Sequence, residues 1–278
     1  MRLALLQVRV PAVPADVREM LSRIEPGSPG GPLCLACLPE LFHTNYSSLP
    51  FPDASIESSL VPALSECVRE RPELLLAGSL ASDRQGRRSN TLTIFHREGV
   101  TPLYDKLHLF RPMKEDACFA PGDHLGVLEV HEGGEIWRVG FAICYDLRFP
   151  EVFRLLAAAG CDLVVVVAQW PAVRIQIWRA LLQARAAENQ VYLAGVNRCG
   201  DDNGEEFGGS SMILAPDGSV LAEAEEQPRL LQAVLSKDEI SRSRRLFYSF
   251  RDRLESAYQV TSRLPVQSLT IRHPHMSK

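Results

Sequence analysis

A cysteine ends an apolar run in the middle of the chain, and a sharp polar turn and a helix start follow it. The run covers residues 137–143, Cys144 comes next, and Pro150 with Glu151 suits the first turn of a helix. A thiol at a strand-to-helix turn is held rigidly and stays exposed, and the helix start or a nearby cation would lower its pKa. Cys144 is therefore a candidate nucleophile, although a cysteine considered alone is more often a buried structural residue.

Two further side chains of kinds that support a nucleophile stand at the ends of apolar stretches. Glu40 follows the strand-like run 33–38, and Lys106 follows a short strand. A thiol is mostly protonated near neutral pH, so it needs a base and a stabilising positive charge, which a glutamate and a lysine can supply. Each residue also has an ordinary interpretation. Glu40 could cap a helix or carry a surface charge, and Lys106 could extend its ammonium group to solvent.

Taken together, these motifs resemble the nitrilase superfamily of carbon–nitrogen hydrolases. The chain has Pro-Glu after a strand at 39–40, Asp-Lys before an apolar turn at 105–106, and the string CYDLRFP at 144–150. The resemblance extends from residue 1 to about residue 260. The segments 168–171, 184–192 and 195–198 are most similar to the omega-amidase branch of that superfamily.

The resemblance implies a two-step hydrolysis of an amide through a thioester. In this scheme Glu40 takes the proton of the Cys144 thiol and gives it to departing ammonia. Lys106 and the backbone N–H of Tyr145 stabilise the oxyanion, a contribution of about 3–4 kcal/mol per donor in related chemistry. Water activated by Glu40 then hydrolyses the thioester. No cofactor and no metal takes part.

The resemblance also implies a second active-site carboxylate, in a stretch without clear periodicity. Residues 105–124 form a loop, and a loop of this length in a compact domain is often functional. We expect Glu115 to hold the substrate nitrogen or Lys106. Asp116 is the neighbouring alternative, and a surface charge is the ordinary interpretation of either residue.

Residues expected to line the substrate pocket are Trp170, Arg174, Phe42 and Tyr46. Trp170 and Arg174 follow the strand 162–168, whose end should open toward Cys144. In the omega-amidase branch this region faces the far end of the substrate, so we expect Arg174 to bind the carboxylate of a dicarboxylic monoamide such as 2-oxoglutaramate. The alternative is that Arg174 caps a helix. We expect Arg148 to brace the turn after the cysteine.

Other functions are compatible with parts of the pattern. His43 or His108 could serve Cys144 as base in a thiol–imidazole enzyme, although neither has an orienting carboxylate beside it in the sequence. Within the superfamily, the alternatives are a deaminated-glutathione-type amidase and an N-carbamoyl hydrolase. An alternative of another class is a catalytically silent homo-oligomeric scaffold, against which the complete glutamate–lysine–cysteine set argues.

The elements that must position these residues alternate between strands and helices, which is the pattern of an α/β protein. Strands are predicted at 3–10, 33–38, 74–80, 90–96, 125–131, 135–144, 162–168, 191–197, 210–214, 219–223 and 230–235. Helices are predicted at 14–25, 54–71, 150–159 and 174–189, and a short helix after residue 236. The pattern alone gives α/β with mixed sheets, and the resemblance implies a four-layer α-β-β-α sandwich. A doubly wound nucleotide-binding fold is disfavoured, because no G-x-G-x-x-G or Walker loop follows a strand.

The overall composition restricts the partners. The chain has 278 residues, a net charge of −4 and seven cysteines. It is long enough for one large domain, which we place at residues 1–265, with a flexible tail at 266–278. The charge gives no indication of nucleic-acid or membrane binding. The first apolar stretch is too short for a signal peptide, so we expect the cytoplasm and reduced thiols.

The pair Cys34 and Cys37 forms a C-x-x-C motif, which could indicate a redox pair or half a zinc site. Residues three apart on a strand face opposite sides of the sheet, and no second pair has metal-ligand spacing. We therefore expect no metal. The resemblance implies a homodimer or a higher homo-oligomer, and aromatic residues at Phe247, Tyr248, Phe250 and Tyr258 could supply contacts.

Overall fold

The computed structural model describes residues 1–25, 33–48, 55–84, 86–254 and 264–272. Helices lie at Pro14–Ser22 (α1), Ser55–Glu70 (α2), Pro150–Ala158 (α3), Ile175–Asn189 (α4) and Lys237–Leu246 (α5). Strands of the first sheet lie at Arg2–Gln7 (β1), Cys34–Cys37 (β2), Leu74–Arg84 (β3), Arg87–His96 (β4), Gly99–Asp105 (β5) and Arg229–Val234 (β14). Strands of the second sheet lie at Leu125–Glu132 (β6), Glu135–Ile143 (β7), Leu163–Ala168 (β8), Tyr192–Asn197 (β9), Met212–Leu214 (β12), Val220–Glu223 (β13) and Val266–Arg272 (β15). A two-stranded ribbon pairs Cys199–Asp202 (β10) with Glu205–Gly208 (β11).

Two mixed sheets form the centre of the fold. The strand order is β14-β1-β2-β3-β4-β5 in the first sheet and β13-β12-β9-β8-β7-β6-β15 in the second. In each sheet the central strands are parallel: β1, β2 and β3 in the first, and β7, β8 and β9 in the second. The carboxyl ends of neighbouring parallel strands lie at one edge of a sheet, and ligands bind at this edge in open α/β sheets.

The period of two along each strand separates the apolar core into layers. On β8, Val165 and Val167 face the other sheet, whereas Val164 and Val166 face the helices. One apolar cluster fills the space between the sheets. A second lies between α3, α4 and the second sheet, and a third between α1, α2 and the first sheet. The predicted four-layer α-β-β-α sandwich is confirmed.

The C-x-x-C cysteines lie on opposite faces of β2, as their spacing indicates. Cys34 packs on the helix side of the first sheet, and Cys37 packs between the sheets. Burial raises the pKa of the Cys34 thiol to about 11, and burial raises that of Cys37 further. Both thiols are therefore protonated packing residues. Each of the seven cysteines is free.

Three strands were not anticipated by the sequence reasoning. The ribbon β10–β11 is short, and its polar residues give no alternating pattern. The strand β15 lies beyond the predicted domain boundary at residue 265, yet it pairs in parallel with β6 along its whole length. The folded part of the described chain therefore reaches Arg272, because Leu269 and Ile271 pack against the inter-sheet core. The last six residues of the predicted tail, 273–278, lie outside the described residues.

Candidate active site

Three charged side chains, one of them far from the other two in sequence, meet in a fully buried cluster. The Nζ atom of Lys106 lies 2.7 Å from Oε1 of Glu40, and 2.9 and 2.8 Å from Oε1 and Oε2 of Glu115. All three side chains have 0% exposure. Burial alone would lower the pKa of Lys106, but the carboxylates of Glu115 and Glu40 raise it above its usual value. The amine therefore stays charged and holds both glutamates.

Glu40 reaches the cluster because the chain turns sharply after β2. The N–H of Leu38 still donates to Ala77 of β3, at 2.8 Å, so the strand pairing continues to the edge of the sheet. Leu41 then adopts a φ of +42°, and its N–H donates to the Ser79 hydroxyl at 2.8 Å. The turn leaves the Glu40 carboxylate on the side of the second sheet.

The same turn places Phe42 away from the pocket that it was expected to line. Its side chain is fully buried in the core beneath the helices of the first sheet. A Cβ atom on Gly78 would lie only 2.7 Å from the Phe42 ring, so this ring fills the space that a glycine leaves open. Phe42 is therefore a packing residue of the outer core.

Lys106 is positioned by the antiparallel pair β4–β5. It follows the last residue of β5, and its N–H donates to the carbonyl of Asn90 at 2.9 Å. The Asn90 side chain also points into the cluster, where Nδ2 donates to Glu40 Oε1 at 2.8 Å and to Glu115 Oε1 at 3.2 Å. Asn90 was not identified from the sequence. Its neighbours Ser89 and Thr91 are also polar, so the sequence gives no signal that singles it out.

The structure distinguishes the two acidic candidates in the loop after Lys106. Glu115 begins a short 3-10 turn, and its Oε2 accepts the N–H of Phe110 at 2.6 Å. Asp116 points outward, with 49% of its side chain exposed, and lies 3.8 Å from Arg111. Only Glu115 joins the buried cluster.

Cys144 follows β7 with a φ of +44°, a left-handed conformation that is strained for a residue with a side chain. Its Sγ lies 3.7 Å from the carbonyl oxygen of Gln169, the residue that follows β8. Burial, together with Glu40, raises the pKa of the thiol, and Lys106 opposes that rise. The sequence reasoning expected a lowered pKa. The shift has the opposite sign because the thiol is largely removed from solvent and lies near two carboxylates, so the thiol keeps its proton at rest.

A buried aspartate fixes the turn after Cys144. Asp146 Oδ2 accepts the N–H of Ile143 at 2.9 Å and the hydroxyl of Tyr104 at 2.6 Å. Its Oδ1 accepts the N–H of His108 at 3.0 Å and lies 2.8 Å from that ring's Nδ1. Asp146 therefore joins the cysteine turn to the segment just after Lys106.

The histidine alternative is not supported by these contacts. His108 does have an orienting carboxylate, Asp146, but its ring stacks on Phe149 at 3.6 Å. Burial lowers the pKa of His43 to about 4, and its ring meets Phe42 edge-on. Neither imidazole is among the described residues that line the pocket of Cys144.

A pocket opens above Cys144, and its empty space of about 360 Å³ includes part of the open solvent at its mouth. Its lining comprises Tyr46, Phe110, Met113, Cys144, Tyr145, Arg148, Gln169, Trp170, Pro171 and Arg174. The pocket is therefore lined by three of the four residues expected there, Tyr46, Trp170 and Arg174. The Arg148 guanidinium lies 5.1 Å from the centre of the Trp170 ring and lines the pocket, whereas the sequence suggested only that it would brace the turn. Both charged groups of the lining are arginines, which favours an anionic ligand.

Tyr46 belongs to the buried cluster of Glu40, Lys106 and Glu115 as well as to the pocket wall. Its hydroxyl donates to Glu40 Oε1 at 2.7 Å and lies 3.3 Å from Glu115 Oε1. Burial and the two glutamates raise the pKa of Tyr46 well above its usual value, so the phenol remains a neutral donor. Glu40 Oε1 thus receives donors from Tyr46, Asn90 and Lys106, while its Oε2 accepts the N–H of Gln169 at 3.0 Å.

Other kinds of site are not observed in the part of the chain that the structure describes. It contains no group of three or more metal-binding side chains. Among the same residues, no helix has both the length and the apolar character that a membrane crossing needs.

Comparison with known proteins identifies relatives over most of the chain. A sequence profile described as Carbon-nitrogen hydrolase matches residues 2–245. The Omega-amidase YafV of Yersinia enterocolitica is 37% identical over 217 residues, which cover 77% of this chain and 82% of that protein. The 2-oxoglutaramate amidase of Paenarthrobacter nicotinovorans is 34% identical over 247 residues, or 85% of this chain and 84% of that protein.

Solved structures show the same fold. One is a mutant of the amidase from Nesterenkonia sp. AN1, which shows the result of Michael addition of acrylamide at the active site cysteine. It superposes with a TM-score of 0.74 at 29% identity, covering 92% of this chain and 98% of that chain.

Proposed function

The chain belongs to the carbon–nitrogen hydrolase family, and we propose that it is a cysteine-dependent omega-amidase. It hydrolyses the amide group of a short dicarboxylic monoamide, such as 2-oxoglutaramate, to a carboxylic acid and ammonia. The observation that carries this proposal is the buried Lys106, which lies between two glutamates and interacts with Cys144, a residue that lines the pocket. This arrangement supplies a base, a cation and a nucleophile without a metal.

In the first step, Glu40 accepts the proton of the Cys144 thiol, and the sulfur attacks the amide carbon. Because the pKa of the thiol is raised, proton removal must accompany the attack. The carbonyl oxygen becomes an oxyanion beside the Lys106 ammonium and the N–H of Tyr145. The carbon–nitrogen bond then breaks, and Glu40 gives its proton to the leaving nitrogen. The products are ammonia and a thioester.

In the second step, water attacks the thioester. Glu40 removes a proton from the water, a second oxyanion forms at the same donors, and the carbon–sulfur bond breaks. The thiolate regains its proton from Glu40, which restores the starting state. Each proton that leaves the thiol or the water is thus returned, to ammonia or to sulfur, through one carboxylate.

Glu115 has the role of holding the amine. Both of its oxygens lie within 2.9 Å of Lys106 Nζ, and its Oε2 is also held by the Phe110 N–H. A lysine fixed in this way presents its charge at one point, instead of rotating among several positions. Asn90 and Tyr46 provide neutral donors that orient Glu40 in the same fashion.

Substrate selection follows from the two arginines in the pocket. The Arg174 guanidinium lies 5.5 Å from the centre of the Phe110 ring and 3.9 Å from Oε1 of Glu205. Its side chain is 36% exposed, so it can meet an incoming anion. We assign Arg174 to the distal carboxylate of the substrate, and Trp170 to its apolar chain. The names of the relatives, Omega-amidase YafV and 2-oxoglutaramate amidase, support the same substrate class.

The test is an ammonia-release assay over a panel of amides, with mass spectrometry of the protein. We expect turnover of 2-oxoglutaramate and its shorter and longer homologues, and an acyl adduct on Cys144 with slow substrates. Cys144→Ala abolishes both signals. Cys67→Ala, which removes a buried thiol from the outer core on α2, is the matched control and keeps both.

The panel also separates the alternatives. Preference for deaminated glutathione or for an N-carbamoyl amino acid would replace the omega-amidase assignment by another member of the family. Absence of turnover with every amide, together with absence of a Cys144 adduct, would favour the silent scaffold. An adduct that still forms at the active site of Cys144→Ala would refute the mechanism.

We further propose that the protein works as a homodimer in the cytoplasm. Seven free cysteines are consistent with a reducing compartment. The side chains of Phe247 and Tyr248 are 69% and 53% exposed, and such aromatic surface is typical of an interface. Tyr258, the fourth aromatic residue considered, lies outside the described residues. Light scattering at micromolar concentration tests the assembly, and a monomer would refute it.

A further inference from the structure

One residue touches both the base and the nucleophile of the proposed reaction through its main chain. The parallel strands β7 and β8 pair with Ile143 opposite Val167, so the residues after the two strands lie side by side. The N–H of Gln169 donates to Glu40 Oε2 at 3.0 Å, and its carbonyl oxygen accepts from Cys144 Sγ at 3.7 Å. A shift of the Gln169 main chain would therefore displace both reacting groups.

Both polar atoms of the Gln169 side-chain amide are hydrogen-bonded. Its Nε2 donates to the carbonyls of Glu40, at 3.0 Å, and Thr44, at 3.2 Å. Its Oε1 accepts from Nη1 of Arg198 at 2.8 Å. The side chain is buried, so these partners replace water. Arg198 is thus the donor that fixes which way the Gln169 amide faces.

Arg198 directs its donors to segments that carry the site. It follows β9 and has 0% exposure. Besides Gln169, Nη1 donates to Asn45 at 3.0 Å, in the segment between Glu40 and Tyr46, and Nη2 donates to the carbonyl of Val10 at 2.9 Å. The Phe207 ring covers the guanidinium at 4.2 Å. One planar group therefore links the end of β8 to the glutamate-bearing loop.

A contribution to stability does not by itself explain why the charged Arg198 is buried here. Burial lowers the pKa of Arg198 to about 10, which still leaves it charged at neutral pH. Its nearest carboxylate, Asp202, lies 3.9 Å away and also accepts hydrogen bonds from Ser47. A buried ion is often no more stabilising than an apolar side chain of similar volume. The alternative is that the donors of Arg198 maintain a geometry that the reaction needs.

We propose that Arg198 is a positioning residue for amide hydrolysis, because through the Gln169 side chain it fixes the peptide segment that contacts both Glu40 and Cys144. The inference rests on the proposed amidase function, which it deepens. Arg198 does not line the pocket and touches neither the substrate nor the reacting atoms. Its effect is on the rate of the chemical steps and not on substrate binding.

The principal test is Arg198→Lys. Lysine keeps the charge but lacks the planar fork that reaches Gln169, Asn45 and Val10 together. We expect kcat for the best amide to fall at least tenfold while KM changes less than threefold, because small misplacement of reacting groups costs rate and not binding. A kcat within twofold of wild type would overturn the proposal.

A matched control separates positioning from general destabilisation. Arg71, which follows α2, also directs its guanidinium to backbone carbonyls, those of Leu21 and Ile24, and pairs with Glu73 at 2.9 Å. Arg71→Lys should lower Tm about as much as Arg198→Lys and leave kcat unchanged. If Arg71→Lys loses as much kcat as Arg198→Lys, the effect is one of stability and the proposal fails.

A double variant tests the route through Gln169. Gln169→Leu removes the same link from the other side, together with the Nε2 bonds to Glu40 and Thr44, and leaves Arg198 its remaining partners. If Arg198→Lys does not fold, an unchanged kcat in Gln169→Leu would overturn the proposal. We expect Arg198→Lys/Gln169→Leu to lose no more kcat than Gln169→Leu alone. A double variant whose loss is the product of the two single losses would show that Arg198 acts independently, which would overturn the proposal.

Alkylation of Cys144 by iodoacetamide, followed by mass spectrometry, gives a readout that needs no amide substrate. We expect at least fivefold slower alkylation of Cys144 in Arg198→Lys than in wild type, and an unchanged rate in Arg71→Lys. If wild type hydrolyses none of the amides, the proposed function fails while this rate still tests Arg198. An unchanged alkylation rate in Arg198→Lys refutes the positioning role in either case.

Discussion

Replacing Lys106 by methionine removes the ammonium group that lies between two buried carboxylates and keeps most of the side-chain volume. Three oxygen atoms lie within 2.9 Å of Nζ, and none of the three side chains reaches solvent. Removing one partner of a buried charge group costs about 3–5 kcal/mol, because the remaining charge is uncompensated. Unfolding entropy is about 0.6 kcal/mol per kelvin for a chain of this length, so we expect Tm to fall by about 5–9 °C.

The loss of stability should depend on pH. Without the ammonium, Glu40 and Glu115 cannot both stay ionised at such a distance, so the folded variant binds a proton that the unfolded chain does not bind at neutral pH. Stability then falls as pH rises, because the folded state holds more protons. The deficit in Tm relative to wild type should be larger at pH 8 than at pH 5.5. In wild type the pKa of Lys106 is raised, so its charge does not change across this range.

Thermal unfolding at both pH values, together with ammonia release, measures these effects. We expect kcat of Lys106→Met to fall by a factor on the order of 10²–10³, since one oxyanion donor is lost. Lys237→Met is the matched control, because Lys237 pairs with a single carboxylate, Asp162, at 2.8 Å and is 29% exposed. It should lose about 1 kcal/mol or less and no activity. The reasoning is wrong if Lys106→Met melts within 2 °C of wild type at both pH values and still hydrolyses amides.

Three further outcomes are expected. Arg174→Ala should raise KM about tenfold for amides with a distal carboxylate and leave KM for neutral amides unchanged; equal effects on both would remove the assignment of this residue. Gly78→Ala should lower the free energy of unfolding by about 1–3 kcal/mol in a denaturant titration, because its Cβ would lie 2.7 Å from the Phe42 ring, and no loss would contradict that packing. The pKa of His43 is lowered to about 4, so the stability of the wild type should fall between pH 6.5 and pH 4, by up to about 3 kcal/mol. His43→Asn should reduce this loss of unfolding free energy between pH 6.5 and pH 4. An unchanged loss would show that another group is responsible.

The residues that carry the motifs stand just beyond strands. Glu40 and Cys144 follow strongly apolar strands, Lys106 follows the more polar β5, and the fold brings these strand ends together at one edge of the two packed sheets. The continuous apolar run of β8 indicates burial on both faces, and its alternating side chains do fill two cores. Local pattern therefore predicts where the site lies.

The contacts within the site could not be predicted in the same way. Gln169, Asn90 and Arg198 are single polar residues, and nothing in their neighbourhood in the sequence shows that they meet Glu40 or one another. Phe42 was misplaced because a left-handed residue at Leu41 reverses the side-chain direction, and no glycine marks that turn. The sign of the Cys144 pKa shift depends on burial, which is a property of the whole assembled fold.

The site is divided between the two sheets. Glu40 and Lys106 extend from strands of the first, and Cys144 and Gln169 from strands of the second, so each half alone carries an incomplete set of groups. An intermediate in which only one sheet has formed would therefore be inactive, because Cys144 would lack the carboxylate that accepts its proton. The rate of turnover therefore also depends on the distance between the two sheets. A larger or smaller aliphatic side chain in the core between the two sheets would therefore lower the rate of hydrolysis, although it contacts none of the reacting groups.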